Sequence, residues 1–345
     1  MRRLLILLLL LVFSRVQAQS NAEETFTSPP PNLPVKVETS FYLVDLVTID
    51  EKAETFLADV YFSFKWNDPR LVFGATDHKP KVYLEERAAA ILKEIWWPQI
   101  EFLTASLPIY NNRSVFIFPD GDVEYYIAVT GNFRTRFDFK RFPFDTQTLD
   151  IKIDSFLWDK NILEFVPAKG KVLFHKALED TRNEASILRL HDIAGTTPGP
   201  ILENLGNTSE YSTYEVVIET ERKYGFFVYQ IFIPLFLVLG IACTVFFAHK
   251  EPFLDRIMVS LTAFLVFIAT KFMINQDLPQ IGYMTFIDKI FVVSYICIGV
   301  TVAVSVLEKL WSPKNEKRAK KLDELMRLIT PITFILLFIL LFFLE

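Results

Sequence analysis

Two hydrophobic periodicities divide the chain near residue 223. Before it, apolar residues come in short alternating runs: Val35–Val47, Thr55–Trp66, Ser114–Phe118, Val123–Val129, Gln147–Ile153 and Tyr214–Glu221. Period-two alternation puts successive side chains on opposite faces and predicts half-buried strands. Pro119-Asp120-Gly121-Asp122, between two of these runs, has turn chemistry: Pro presets φ and Gly admits φ > 0. Tyr83–Lys93 reads as a short helix. Strands at this spacing predict an antiparallel β-sandwich over residues 19–223.

Beyond 223 the alternation gives way to long apolar runs. Phe226–Phe247 is 22 residues without a charge, Ile290–Leu307 is 18 and Leu328–Leu344 is 17. Between the first two lies Pro252–Gln276, apolar over Ile257–Thr270 but carrying Asp255, Arg256 and Lys271. These lengths suit a bilayer. Residues 224–345 therefore read as four spanning helices, at about 225–248, 252–276, 284–309 and 323–344. The second is too polar to face lipid comfortably. Its Met258, Thr262, Leu265, Ala269 and Phe272 recur at gaps of four, three, four and three. This stripe continues back to Asp255 and forward to Gln276, along one helical face.

Such a stripe makes sense if several copies surround an axis. Asp255 would form a cation-selecting carboxylate ring, Thr262 a hydroxyl ring, and Leu265 an apolar constriction that gates by dewetting. The same spacing fits a buried helix whose first turn carries Asp255. Arg256, one position off the stripe, is expected to point to cytoplasmic water. Lys271, also one position off, is expected to face a neighbouring helix or snorkel outward.

Met1–Ala18 has the anatomy of a secretory leader: Arg2 and Arg3, the apolar run Leu4–Phe13, and Val16-Gln17-Ala18 as the cleavage site. Lys309, Lys314, Lys317, Arg318, Lys320 and Lys321 mark a short linker, about 310–322, as cytoplasmic. Both signals put residues 19–223 outside. The basic cluster would also attract anionic membrane lipids weakly.

Composition narrows the function. The chain of 345 residues is 51% hydrophobic and carries a formal charge of −5, which suits a membrane protein and gives no support for nucleic-acid binding. The two cysteines, Cys243 and Cys297, lie in apolar runs, so neither a disulfide scaffold nor a Cys-based zinc site is expected. No phosphate loop, paired-His metal motif or nucleophile elbow is present, and no cofactor or metal is implied. Residues 19–223 hold 22 Lys+Arg against 32 Asp+Glu, a net of −10, which would concentrate cations at a pore mouth.

Several short motifs occur in order along this plan. They are Asp50-Glu51-Lys52-Ala53-Glu54-Thr55, Trp96-Trp97-Pro98, Phe142-Pro143-Phe144-Asp145 with Gln147, Arg222 followed by Pro234, Leu278-Pro279, and Tyr283-Met284-Thr285. Together they resemble the pentameric ligand-gated ion channels, or Cys-loop receptors, and specifically the bacterial members. The resemblance covers nearly all of the mature chain. It implies a homopentamer with a central pore, in the inner membrane of a bacterium, opened by a small-molecule agonist or by protons and passing monovalent cations. The chain departs from the animal receptors at Thr135 and Leu149, where they carry a disulfide, so packing must hold the loop. The linker also has no room for a large intracellular domain.

The resemblance implies an agonist site between subunits. Phe156, Trp158, Tyr211 and Tyr214 would come from one face, with Phe102 after Trp97. Tyr61 and Tyr125 or Tyr126 would come from the neighbouring face. Aromatic rings attract cations, so an amine is a natural ligand. The alternative is that these rings are sandwich core; alternation puts Tyr61 and Trp66 on opposite faces, and Phe156 stands where animal receptors usually have Trp. Coupling to the pore is implied at Arg222, with Asp145 and Glu51 as carboxylate partners and Pro143 and Pro279 converging on it. The like-charge pairs Asp50-Glu51 and Glu85-Glu86 are candidates for pH-dependent gating of either direction. Two other functions fit: a membrane-anchored sensor that does not conduct, and an anion-selective channel of the same family. Leu254-Asp255 before Arg256, where anion channels usually carry Pro-Ala, favours cations.

Overall fold

The computed structural model describes residues 26–74, 79–175, 185–198, 210–248, 251–313 and 315–344. The expected leader, residues 1–18, lies outside them. Ten strands form two sheets. Val35–Asp50 (β1), Thr55–Asn67 (β2), Lys81–Leu84 (β3), Ala105–Ile117 (β5), Asp122–Arg134 (β6) and Leu163–Phe174 (β8) make the larger, in the order β3-β5-β6-β2-β1-β8. Ile100–Phe102 (β4), Thr146–Ser155 (β7), Ala185–Pro198 (β9) and Glu210–Arg222 (β10) make the smaller, in the order β4-β7-β10-β9. The pairs are antiparallel except β1–β8, which run parallel. After β7 the chain leaves the smaller sheet and continues beside β1 in the larger one. The expected short helix is Glu85–Ile91 (α1).

Strand alternation decides the core. Phe56, Ala58, Val60, Phe62, Phe64 and Trp66 of β2 all face inward and are buried. Their rings continue into Phe41, Phe102 and Phe133 at centroid distances of 5.1–5.4 Å. Such aromatic packing supplies the largest apolar area per residue. Gly121 turns the β5–β6 hairpin at φ +86°, where an added Cβ would lie 2.6 Å from the Asp68 carbonyl oxygen.

Among the described residues, four helices are long and apolar enough to cross a membrane. They are Gly225–Phe247 (α2), Phe253–Asp277 (α3), Phe286–Trp311 (α4) and Glu316–Leu344 (α5). Pro234 lacks an N–H for the carbonyl of Gln230, and the helix takes a π turn over Val228–Phe232 just before it. A capping box starts α4, with Thr285 Oγ1 accepting from the Asp288 N–H and Asp288 accepting from the Thr285 N–H. The fourth helix begins at Glu316 rather than near 323, so most of the expected linker is helical. An apolar-run criterion misses this amphipathic start: Ala319 and Asp323 are buried while Lys317, Arg318 and Lys320 are exposed.

Candidate functional site

The sandwich meets the helix bundle at a packed junction. Arg222, the last residue of β10, is buried there. Its Nε and Nη2 donate to Asp145 Oδ1 (2.6 Å) and Oδ2 (2.9 Å), and Nη1 donates to Glu51 of the β1–β2 turn. The guanidinium also lies 4.8 Å from the Phe142 ring centroid and 5.6 Å from that of Phe227. Burial works against the Arg222 charge, but Asp145 and Glu51 outweigh it and hold its pKa above the ordinary arginine value. The expected Arg222–Asp145–Glu51 grouping is thus present as geometry. Pro143 is buried in the same loop, and Pro279 is half-buried in the loop after α3.

Further bonds cross the junction. Lys52 Nζ donates to the Gln276 carbonyl (3.1 Å), the Phe139 N–H to the Tyr283 hydroxyl (3.0 Å), and the Phe286 N–H to the Lys140 carbonyl (2.7 Å). Phe144 stacks on Phe232 of α2 at 5.8 Å and meets Phe286 of α4 and Phe342 of α5 edge-on. One loop between β6 and β7 therefore touches three of the four spans. A cavity of about 300 Å³ opens beside it, lined by Glu51, Phe142, Gln230, Pro234 and Thr270 among others.

The faces of α3 are sharply different. Arg256, Ser260, Ala263, Phe267 and Ile274 pack into the chain's own bundle and are buried. Asp255, Met258, Thr262, Leu265, Ala269, Phe272 and Gln276 are all exposed, Leu265 to 65%. The predicted stripe thus lies within the face that α3 leaves uncovered, a wider face that also includes Leu254, Leu261, Ile268 and Met273. Lys271 pairs with Asp288 of α4, so it turns toward a neighbouring helix. Arg256 corrects an expectation: it is sealed from water between Glu308 of α4 and Asp323 of α5. The bundle offered it two carboxylates, which offset desolvation where open water was anticipated.

The aromatic residues separate into two groups. Phe156, in the loop just after β7, is 73% exposed, while Trp158 in the same loop and Tyr211 on β10 are half-buried. Tyr61 and Tyr126 are exposed on the outer face of the larger sheet, where Tyr61 pairs with Ala128 and Ser63 with Tyr126. Tyr126 donates to Glu124, and burial with that carboxylate pushes its hydroxyl up to about 12. The other three correct the expected box. Tyr214 is fully buried, its hydroxyl donating to Asp192 (2.7 Å) and its pKa raised by burial. Phe102 and Tyr125 are buried too, and both line a pocket of about 320 Å³, open to solvent, with Trp97, Tyr110 and Arg113. Their strand phase carried the warning: Tyr125 alternates in step with Val123, Ile127 and Val129.

One group escaped sequence reasoning. Asp154 on β7 lies directly opposite Glu101 on β4, two residues before the Phe156–Leu157 bend. Its Oδ1 is buried and has no hydrogen-bond partner among the described residues. Burial, then the Glu101 charge, push its carboxyl up to about 6. No spacing pattern reveals a pair 53 residues apart whose contact depends on strand register.

Comparison with known proteins now decides the family. Residues 24–198, just over half of the chain, match the model of the neurotransmitter-gated ion-channel ligand binding domain. The chain belongs to this family of ligand-gated ion channels. A proton-gated ion channel of Gloeobacter violaceus is 28% identical over 331 residues, 93% of this chain and 87% of that protein. The human gamma-aminobutyric acid receptor subunit rho-1 is 25% identical over 301 residues, 85% of this chain but 60% of its own length. The chicken subunit alpha-6 is 24% identical over 258 residues and is matched over 53% of its length. The protein is accordingly a multi-pass channel of the Cys-loop superfamily and not an enzyme.

Its Cys-loop counterpart is closed without sulfur. Thr135 Oγ1 donates to the Thr148 carbonyl (2.9 Å) and Asp150 Oδ1 (2.8 Å). Gln147 bridges the Asp138 main chain, accepting from its N–H (3.0 Å) and donating to its carbonyl (2.8 Å). Hydrogen bonds thus add to the packing of Phe137, Phe139 and Phe142.

Proposed function

We propose that five copies of this chain form a cation-selective channel whose pore is lined by the exposed face of α3. The observation that carries the reading is the division of α3 itself. One chain buries Ser260, Ala263 and Phe267 but leaves uncovered a broad face of α3 that contains the whole stripe of Thr262, Leu265, Ala269 and Phe272. Asp255 at its inner end would present a ring of carboxylates to the permeating ion, and Leu265 the apolar constriction.

The agonist site of this reading lies between subunits. Phe156 and Trp158 in the loop after β7, with Tyr211 of β10, would face Tyr61 and Tyr126 of the neighbouring copy, since those two lie on the outer face of the other sheet. Asp154 adds a carboxylate beside Phe156, which suits a cationic amine. Protons are the other candidate agonist, supported by the proton gating of the Gloeobacter relative and by the raised Asp154 pKa. Arg222 with Asp145 and Glu51 would transmit binding to the helices.

Current recording from purified protein in a bilayer under a salt gradient tests the reading. Wild-type protein should reverse near the cation equilibrium potential, and Asp255→Asn should weaken that preference by about tenfold, the effect of roughly 1.4 kcal/mol, with little change in agonist sensitivity. Absence of current would favour the sensor. Wild-type reversal near the chloride potential would favour an anion channel.

A further inference from the structure

At the inner end of the bundle, three helices are tied by one buried cation. Arg256 Nη1 donates to Glu308 Oε2 of α4 (2.5 Å) and to Asp323 Oδ2 of α5 (3.1 Å), and Nη2 donates to Asp323 Oδ1 (2.8 Å). The side chains of Arg256 and Asp323 are 0% and 1% exposed. Asp323 therefore receives a planar fork, the geometry that fixes orientation as well as distance. One turn further along α3, Ser260 meets Thr301 of α4 at 2.9 Å, continuing the polar seam.

Asp255 and Arg256 are adjacent and of opposite sign. Neighbouring positions on an α-helix point about 100° apart. A rotation of α3 by that amount would replace a ring of carboxylates by a ring of guanidinium groups. The spacing of the stripe puts Asp255 on its line and Arg256 one position off it, but both charges sit in the first turn of α3, where that spacing alone does not hold the helix in one rotation. The choice is made by where Arg256 finds its partners.

We propose that Asp323 and Glu308 act through Arg256 as positioning residues that set the charge of the inner pore mouth. The fourth spanning helix, remote from the pore, thereby determines ion selectivity by holding the guanidinium inside the bundle and leaving Asp255 outward. This rests on the reading of α3 as the pore helix.

The test compares reversal potentials in a sodium chloride gradient for wild type, Asp323→Ala, Asp255→Asn and the double variant Asp323→Ala with Arg256→Gln, with surface-exposed protein quantified for each. Asp323→Ala should lower the cation-to-anion permeability ratio by about tenfold, because it releases a positive charge beside the ring. Adding Arg256→Gln should restore cation preference, since the released charge is gone; a merely structural role for Asp323 predicts no such rescue. Where Asp323→Ala fails to reach the surface, Asp323→Asn and Glu308→Gln, which keep an acceptor oxygen, should show the same shift in smaller degree. Full cation selectivity in any surface-expressed Asp323 variant overturns the proposal, as does a shift that Arg256→Gln fails to reverse. An unchanged Asp255→Asn refutes the carboxylate ring alone if Asp323→Ala still shifts the potential, and refutes both if it does not.

Discussion

Replacing Arg222 by Ala removes the cation on which the junction is built. Asp145 is itself buried and spends both oxygens on Arg222, with Gln147 as a further donor. The variant leaves that carboxylate sealed in without its counter-charge, and removes the Arg222 contact of Glu51. Removing one member of a buried ion pair costs about 3–5 kcal/mol. The rings of Phe142 and Phe227 also lose their guanidinium contact, worth about 0.5–2 kcal/mol where desolvated. Even the lower figure corresponds to roughly two orders of magnitude in an equilibrium constant.

Two assays separate the consequences. Thermal unfolding of detergent-solubilised protein should show a lower midpoint for Arg222→Ala, and a smaller loss for the pair Arg222→Ala with Asp145→Ala, in which no orphan charge remains. Agonist-evoked current per surface channel should fall sharply in the single variant, because Glu51 and Asp145 lie in the two sandwich loops that reach the spans. Normal current in a well-expressed Arg222→Ala protein would refute the coupling role. A double variant as unstable as the sum of its singles would refute the magnitude assigned to the pair.

Three further outcomes are expected. Leu265→Ala should leave the pore easier to wet, seen as more current without agonist or activation at lower agonist concentration; an unchanged resting current would remove Leu265 as the gate. Asp154, with its pKa raised to about 6, keeps in the folded state a proton that the unfolded chain has released between about pH 4 and pH 6. Stability should therefore fall as pH rises through that window and level off above it, and Asp154→Asn should flatten the profile and raise stability at pH 7 by about 1–2 kcal/mol after solvent screening; identical pH profiles of unfolding would contradict this. Thr135→Val keeps the volume but drops the hydroxyl bonds to Thr148 and Asp150, and should lower stability by about 1–3 kcal/mol, read from denaturant midpoints at unchanged slope.

The aromatic residues illustrate how a correct family reading can misplace individual side chains. Tyr125 and Tyr126 are neighbours, so one must face in and one out; their strand phase assigned them, and the structure follows it. Tyr214 and Phe102 gave weaker warning, because β10 buries residues on both faces and β4 is three residues long. Position-by-position transfer from a family carries no information about depth. Burial has to come from the sheet that packs above.

What the sequence by itself determined is whatever depends on near neighbours. Charge-free runs of bilayer length announced the spans, gaps of three and four picked out a stripe that lies within the uncovered face of α3, and alternation announced the strands. Each is a periodicity of one element in one environment, so it survives without knowledge of the rest. The tertiary structure decided the pairings across long separations. Arg256 with Glu308 and Asp323 spans 52 and 67 residues, Arg222 with Glu51 spans 171, and Asp154 with Glu101 depends on the register of two strands. A charge reads alike in sequence whether water or a carboxylate awaits it. Only the packed bundle and sheets supply the partner that makes burying that charge favourable.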